Sequence, residues 1–175
     1  LITALLVVVI VFGGGYAMYA KSLAEKQYVD TYFKALYGIK TGVELSTKVT
    51  GRISSEWKMA IDSGRSFSPL PSTDELARLN RVKSEVEKMM TIQLSAPPKK
   101  LASSRDGLVK LNDQYAKLHA LASSPPNNLA MLNEVALKAA TSFDESARSL
   151  KTTLPKPMPD ELVNAKKKYK NLKDF

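Results

Sequence analysis

Acid–base or metal chemistry in this 175-residue chain would have to come from a single histidine, His119, and seventeen carboxylates. A metal site or a nucleophilic triad needs further ligands or a placed nucleophile around the histidine, and the sequence marks none. Most carboxylates lie three or four residues from Lys or Arg, which is typical of solvated helix faces. The chain has no cysteine, which excludes disulfides and thiolate chemistry. We predict no catalytic residue, no metal ligand and no cofactor, with His119 at the surface or edge of its helix.

The second group with possible chemistry is the basic C-terminal tail, residues 156–175, which carries six lysines against three acidic residues. It could be an ordinary solvated helix, or it could contact anionic lipid headgroups or wall polymers at about 1 kcal/mol per lysine. The residues assigned to that contact are Lys166, Lys167, Lys168, Lys170 and Lys173. The remaining excess of the +9 net charge is spread along the chain without forming a stripe. We therefore predict no nucleic-acid partner.

The histidine and the tail lysines belong to a chain whose first twenty residues, 1–20, carry no charge. A helix of twenty residues spans roughly 30 Å, the thickness of the bilayer's hydrocarbon core. We predict that residues 1–20 form a transmembrane helix, the alternative being a buried core helix. Tyr16, Tyr19 and Lys21 are predicted to lie at the membrane interface. The expected partners are the lipid bilayer and other copies of this chain, which could form a homo-oligomer through residues 1–20.

The rest of the chain has helical periodicity and no strand-type alternation. Apolar residues at steps of three and four extend the first helix to Asp62. A second helix begins at Ser72, which forms a capping box with Glu75; a third follows Pro97-Pro98, and a fourth runs from Leu129 to Leu154. The predicted fold is all-α: an N-terminal transmembrane helix continuous with the first helix of an antiparallel four-helix bundle, plus a short basic C-terminal helix.

The helix lengths predict the domain organisation. Helices two to four should each be roughly 33–40 Å long, whereas the first helix beyond the membrane should be about 63 Å. We therefore predict a transmembrane helix at 1–20, a juxtamembrane stalk at 21–39, a four-helix bundle at 40–155, and a Pro-rich linker with the basic helix at 156–175. The up-and-down path returns the chain to the stalk, so Tyr169 and Leu172 should lie near the segment from Tyr28 to Leu36.

A family resemblance covers about 100 residues. It is based on two stretches of the sequence. The first is the tryptophan motif of residues 55–61. The second is a packing pattern over residues 97–155, which begins at Pro97-Pro98, includes Gln114-Tyr115 and Ser123-Ser124-Pro125, and ends at Leu154-Pro155. In these stretches the chain resembles uncharacterised membrane-anchored extracytoplasmic helical-bundle proteins of Gram-positive bacteria. Asn112 departs from the pattern, which has an aromatic residue there. The resemblance implies a body outside the membrane and no assigned activity.

The apolar N-terminus also has a weaker likeness to type IV pilins, with glycine near position 14 but Leu5 where bacterial pilins carry glutamate. The predicted function is a non-enzymatic, extracytoplasmic structural or binding protein of the cell envelope, with a single pass in the cell membrane and its C-terminal body outside the cytoplasm. One alternative is a pilin-like filament subunit with residues 1–20 in the filament core. The other is the sensory ectodomain of a receptor, which would need a second membrane span that residues 155–175 do not offer.

Overall fold

The chain is described by a computed structural model that gives the backbone of residues 2–175 and the side chains of residues 21–175. It is all-helical, with no strand within residues 2–175, which confirms the predicted all-α class. The elements are α1 (Ile2–Asp62), α2 (Thr73–Lys88), a π-helical turn (Met89–Gln93), a 3-10 turn (Lys99–Leu101), α3 (Ala102–Ser123), α4 (Leu129–Thr153), α5 (Met158–Lys168) and a final 3-10 turn (Lys170–Leu172).

The predicted transmembrane segment, residues 1–20 with Tyr16 and Tyr19, lies outside the residues whose side chains are described. Of the described residues, none belongs to a helical stretch both long enough and apolar enough to cross a bilayer. Lys21 is described and is exposed to solvent.

The axis of the helical body, residues 21–175, is α1, which packs against α2, α3 and α4. The buried apolar side chains form two clusters along it. The proximal core, nearer the N-terminus of α1, contains side chains of all five α-helices, from Tyr28 on α1 to Leu162 on α5. It also contains Leu172 and the last residue of the sequence, Phe175. The distal core is smaller and is built from Val49, Ile53, Leu79, Leu121, Ala122 and Leu132.

The predicted boundary between a stalk at residues 21–39 and a bundle that begins at residue 40 is wrong, because residues 28–39 already belong to the folded body. Within that segment the proximal core buries Tyr28, Val29, Tyr32, Phe33, Ala35, Leu36 and Ile39. The predicted boundary rested on the lengths of α2 to α4 alone. Two further segments extend the core toward the N-terminus of α1, namely the turn from Leu94 to Leu101 and the C-terminal tail.

The predicted packing of the tail beside this part of α1 is confirmed. The ring of Tyr169 stacks on that of Tyr37 with centroids 4.6 Å apart. The Asn171 side-chain amide donates to Thr41 Oγ1 at 2.7 Å, and Leu172 is completely buried in the proximal core. The tail is therefore part of the folded body.

The predicted capping box at the start of α2 is also confirmed. The Glu75 backbone N–H donates to Ser72 Oγ, and the Ser72 N–H donates to Glu75 Oε2. Arg52 of α1 forms a bidentate contact with the same carboxylate. Its Nε donates to Oε1 at 2.8 Å, and its Nη2 donates to Oε2 at 2.6 Å. The hydrogen bond from Arg52 is the main reason that the pKa of Glu75 falls to about 2. This contact joins α1 to α2 at the end of the body away from the tail.

Replacing Glu75 by glutamine should lower the free energy of unfolding by about 0.5–1.5 kcal/mol at pH 7. Glutamine retains the capping-box acceptor, so the loss isolates the charge contact with Arg52. Because the carboxylate pKa is lower in the folded chain than its ordinary 4.5, this stabilisation is present above pH 4.5 and is lost as the pH falls toward 2. Urea unfolding of the full chain in nonionic micelles across that range measures it. Glu85→Gln, an exposed site on the same helix, should change little.

Candidate membrane-facing site at the base of the helical body

The base of the helical body is the end where residues 21–31 of α1 meet residues 94–101 and the start of α5. The segment Leu94 to Leu101, here called the base turn, links the end of the π-helical turn to α3. Leu94 and Leu101 are both completely buried and hold its two ends in the proximal core. Between them, Ser95, Ala96, Lys99 and Lys100 are exposed. The base turn thus presents two adjacent lysines on a firmly anchored loop.

Hydrogen bonds fix the base turn to α3 and α1. Arg105 Nε donates to the Leu94 carbonyl at 2.9 Å, across the turn. Ser104 Oγ donates to the Leu101 carbonyl at 2.7 Å, and the buried Tyr32 hydroxyl of α1 donates to the Ser104 carbonyl at 3.1 Å. The position of Lys99 and Lys100 relative to α1 is therefore set by buried contacts on both sides.

A groove of about 610 Å³ separates the base turn from the first described turns of α1. Its charged lining consists of Lys21, Glu25, Lys99 and Lys100. Lys100 Nζ pairs with Glu25 Oε2 at 2.5 Å across it, and the Lys100 side chain nevertheless remains 53% exposed. With three lysines against one carboxylate, the groove has an excess of two positive charges. Sequence reasoning assigned Lys21 to the membrane interface but missed Lys99 and Lys100.

The five tail lysines lie elsewhere. Lys166 is half-buried, and Lys167, Lys168, Lys170 and Lys173 are exposed. α5 starts at the base, where Pro157 and Glu161 line a cleft with Ser22, and ends where Tyr169 stacks on Tyr37. Because a helix rises 1.5 Å per residue, Tyr37 and Thr41 are about 24–30 Å along α1 from Lys21. Lys170 and Lys173 are thus separated from the base, whereas Lys168 lies nearer to it, in a cleft with Asp30 and Glu161. The contact of the five tail lysines with an anionic surface stays a prediction.

The prediction that His119 lies at the surface or edge of its helix is wrong, because the residue is buried with 7% exposure. α3 contacts α2 as well as α1 and α4, so its buried face is wider than one apolar stripe. The ring stands edge-on to Tyr115 with centroids 6.1 Å apart. Burial, followed by the positive charge of Lys83 on α2, lowers the pKa of His119 below its usual 6.5.

The surroundings of His119 do not form a nucleophilic pair. The Ser123 hydroxyl, four residues along the same helix, lies 3.5 Å from both ring nitrogens, so it is aligned with the lone pair of neither. Deeper in the body, the hydroxyls of Ser46, Thr50 and Tyr115 are buried without a hydrogen-bond partner among the described residues. No group of three or more potential metal ligands occurs within residues 21–175.

As the pH falls below about 6.5, the folded chain should lose stability because of His119. Its pKa is lower in the folded state, so the unfolded chain binds the proton more readily and is favoured in acid. His119→Gln should flatten the dependence of unfolding free energy on pH between 7.5 and 5.5. His119 is the only histidine, so no other imidazole contributes to this window. An unchanged slope in the variant would contradict the prediction.

No family model, curated protein or solved structure matches this chain.

The base groove combines exposed ammonium groups, a rigid loop and proximity to the predicted membrane segment. Lysine ammonium groups donate up to three hydrogen bonds each and attract phosphate as point charges. Sequence reasoning could have found Lys99 and Lys100 by one further step. If α1 leads away from the membrane and α2 returns, then the Pro97-Pro98-Lys99-Lys100 connection must come back to the base.

Proposed function

We propose that this chain is a non-enzymatic, membrane-anchored structural or binding protein of the cell envelope. In this proposal, residues 1–20 form a single transmembrane helix in the cell membrane and carry an antiparallel four-helix bundle outside the cytoplasm. The outward orientation is part of this proposal and is the one implied by the resemblance predicted from residues 55–61 and 97–155. The uncharged composition of residues 1–20 supports the anchor.

The observation that carries the proposal is the continuity of α1 from Ile2 to Asp62. The same helix that contains the uncharged segment becomes the axis of the body, and its first buried residue in the proximal core is Tyr28. Tyr28 is eight residues beyond residue 20, about 12 Å along the helix. With so short and helical a connection, the anchor would hold the body close to the bilayer in a restricted range of orientations.

The outer surface suits a binding or scaffolding role. At the end of the body away from the base, Met59, Ile61 and Leu70 are each more than half exposed. In the proposed binding role, a contiguous apolar patch formed by these side chains would contact another envelope component.

Membrane extraction tests the anchor. The full chain should remain in the membrane pellet after alkaline carbonate treatment. A variant with Leu6→Lys and Val9→Lys should be released, because a lysine near the centre of a membrane helix costs about 2.5–3.5 kcal/mol. As a matched control, Leu23→Lys with Leu70→Lys adds the same charge at exposed sites outside residues 1–20 and should stay in the pellet. Release of the unmodified chain would overturn the proposal.

A cysteine label tests the orientation, since the chain has no native cysteine. Ser68→Cys, in the exposed connector between α1 and α2, should react with a membrane-impermeant maleimide in intact cells. Labelling only after lysis would place the body in the cytoplasm. Electron microscopy of the native membrane fraction addresses the pilin-like alternative, which requires filaments.

A further inference from the structure

We propose that the base turn is a second membrane contact, in which Lys99 and Lys100, together with Lys21, bind the phosphates of anionic phospholipid headgroups. This inference rests on the anchoring proposed above. It goes further by assigning a lipid-binding surface within the folded body, formed by a loop about eighty residues away from the anchor in sequence.

The height of the base turn matches the headgroup layer. The ion pair between Lys100 and Glu25 places the turn beside residue 25 of α1. Residue 25 is five residues past the end of the uncharged segment, or about 7.5 Å along the helix. The polar region of each leaflet adds about 5–8 Å beyond the hydrocarbon core. The base turn therefore coincides with the zone that lipid phosphates occupy.

The charge and exposure of the groove fit anionic lipid. Lys21, Lys99 and Lys100 face one carboxylate, that of Glu25, across about 610 Å³. Lys99 is exposed, and Lys100 is half exposed in spite of its ion pair, so donors on both ammonium groups remain accessible. The buried ends of the turn, Leu94 and Leu101, hold these donors in place. Binding therefore would not require a flexible loop to become ordered.

The position of the tail lysines argues against them as the main headgroup ligands. Lys170 and Lys173 flank the contacts that Tyr169 and Asn171 make with Tyr37 and Thr41, about 24–30 Å along α1 from Lys21. Lys168 lies nearer the base, in a cleft with Asp30 and Phe33. The Debye length is about 8 Å at physiological ionic strength, so charges at the height of Lys170 and Lys173 are largely screened from the bilayer surface. This difference in height provides a matched control with the same change in charge.

Site-specific quenching tests the inference directly. Ala96→Cys places a fluorophore on the exposed base turn, and Ala130→Cys places one at the exposed start of α4 as a distal control. Each full-length protein is reconstituted into vesicles of phosphatidylcholine with or without 30% phosphatidylglycerol, containing a headgroup-attached nitroxide lipid. We expect strong quenching at position 96 that increases with phosphatidylglycerol and weakens at high salt. We expect little quenching at position 130.

Charge variants then identify the ligands. Lys99→Gln with Lys100→Gln should lower the ratio of docked to undocked base turn about fivefold per lysine, as judged from quenching at position 96. Lys170→Gln with Lys173→Gln removes the same charge at two exposed sites beside the Asn171–Thr41 contact and should leave the quenching unchanged. Trp57 emission, from the only tryptophan, verifies that each variant is folded.

The outcomes separate this inference from the anchor on which it rests. Absent quenching at position 96 in a carbonate-resistant protein overturns the lipid contact and leaves the anchor intact. Quenching that is equal in both lipid mixtures, or that depends on the tail lysines instead, overturns the assignment to Lys99 and Lys100. Failure of the chain to insert into any vesicle overturns the anchor together with the contact.

Discussion

Leu172→Ala should lower the free energy of unfolding by about 2–5 kcal/mol, although the residue lies only three positions from the last residue of the sequence. Its side chain is completely buried in the proximal core, so truncation loses the burial and leaves a cavity. Many small domains have a total stability of only about 5–15 kcal/mol, so this is a large fraction. The effect can be measured by urea unfolding of the full chain in nonionic micelles.

The fluorescence of Trp57 is the informative probe for this variant. Trp57 packs against the distal core, whereas Leu172 lies in the proximal core. If the body unfolds as one cooperative unit, Leu172→Ala should shift the Trp57 transition by the full amount. Val163→Ala, at a 55% exposed site on α5, serves as the matched control and should cost little. A shift below about 0.5 kcal/mol for Leu172→Ala would mean that the tail is only loosely attached.

Identical glycine-to-alanine substitutions at two positions of α1 should have opposite effects. At Gly42, an added methyl group would overlap the ring of Tyr115, which is 1% exposed and enclosed by the proximal core. We expect Gly42→Ala to lower the free energy of unfolding by about 1–3 kcal/mol through this overlap. Because the ring is buried, relieving the overlap requires a shift of its packed neighbours or a wider spacing between α1 and α3.

At Gly51, which is exposed, the same methyl group would meet no atom of the described chain within 4 Å. Gly51→Ala should therefore raise the free energy of unfolding by about 0.5–1 kcal/mol, because alanine loses less backbone entropy in a helix. Thermal unfolding of the two variants side by side, monitored by circular dichroism, measures the difference. Stabilisation by both substitutions would show that α1 and α3 are not in close contact at Gly42.

Local signals predicted the helical elements well. The Ser72–Glu75 pattern marked the start of α2, and the segment Asp62-Ser63-Gly64 marked the end of α1, where Gly64 has a positive φ of 64°. The prolines after residue 154 marked the end of α4. These signals are readable because capping, backbone freedom and proline geometry act within a few residues. Even the return of the tail to α1 followed from counting helices and their lengths.

What the sequence by itself determined was thus the all-helical class and most helix boundaries. Tertiary structure decided three things that depend on contacts between distant segments. It buried the apolar face of residues 28–39, it buried His119 where α3 meets α2, and it brought Lys99 and Lys100 beside Lys21 and Glu25. Periodicity shows which face of a helix is apolar, but not how many neighbours cover it or which loops meet at its end. Those outcomes depend on the packing of the whole chain.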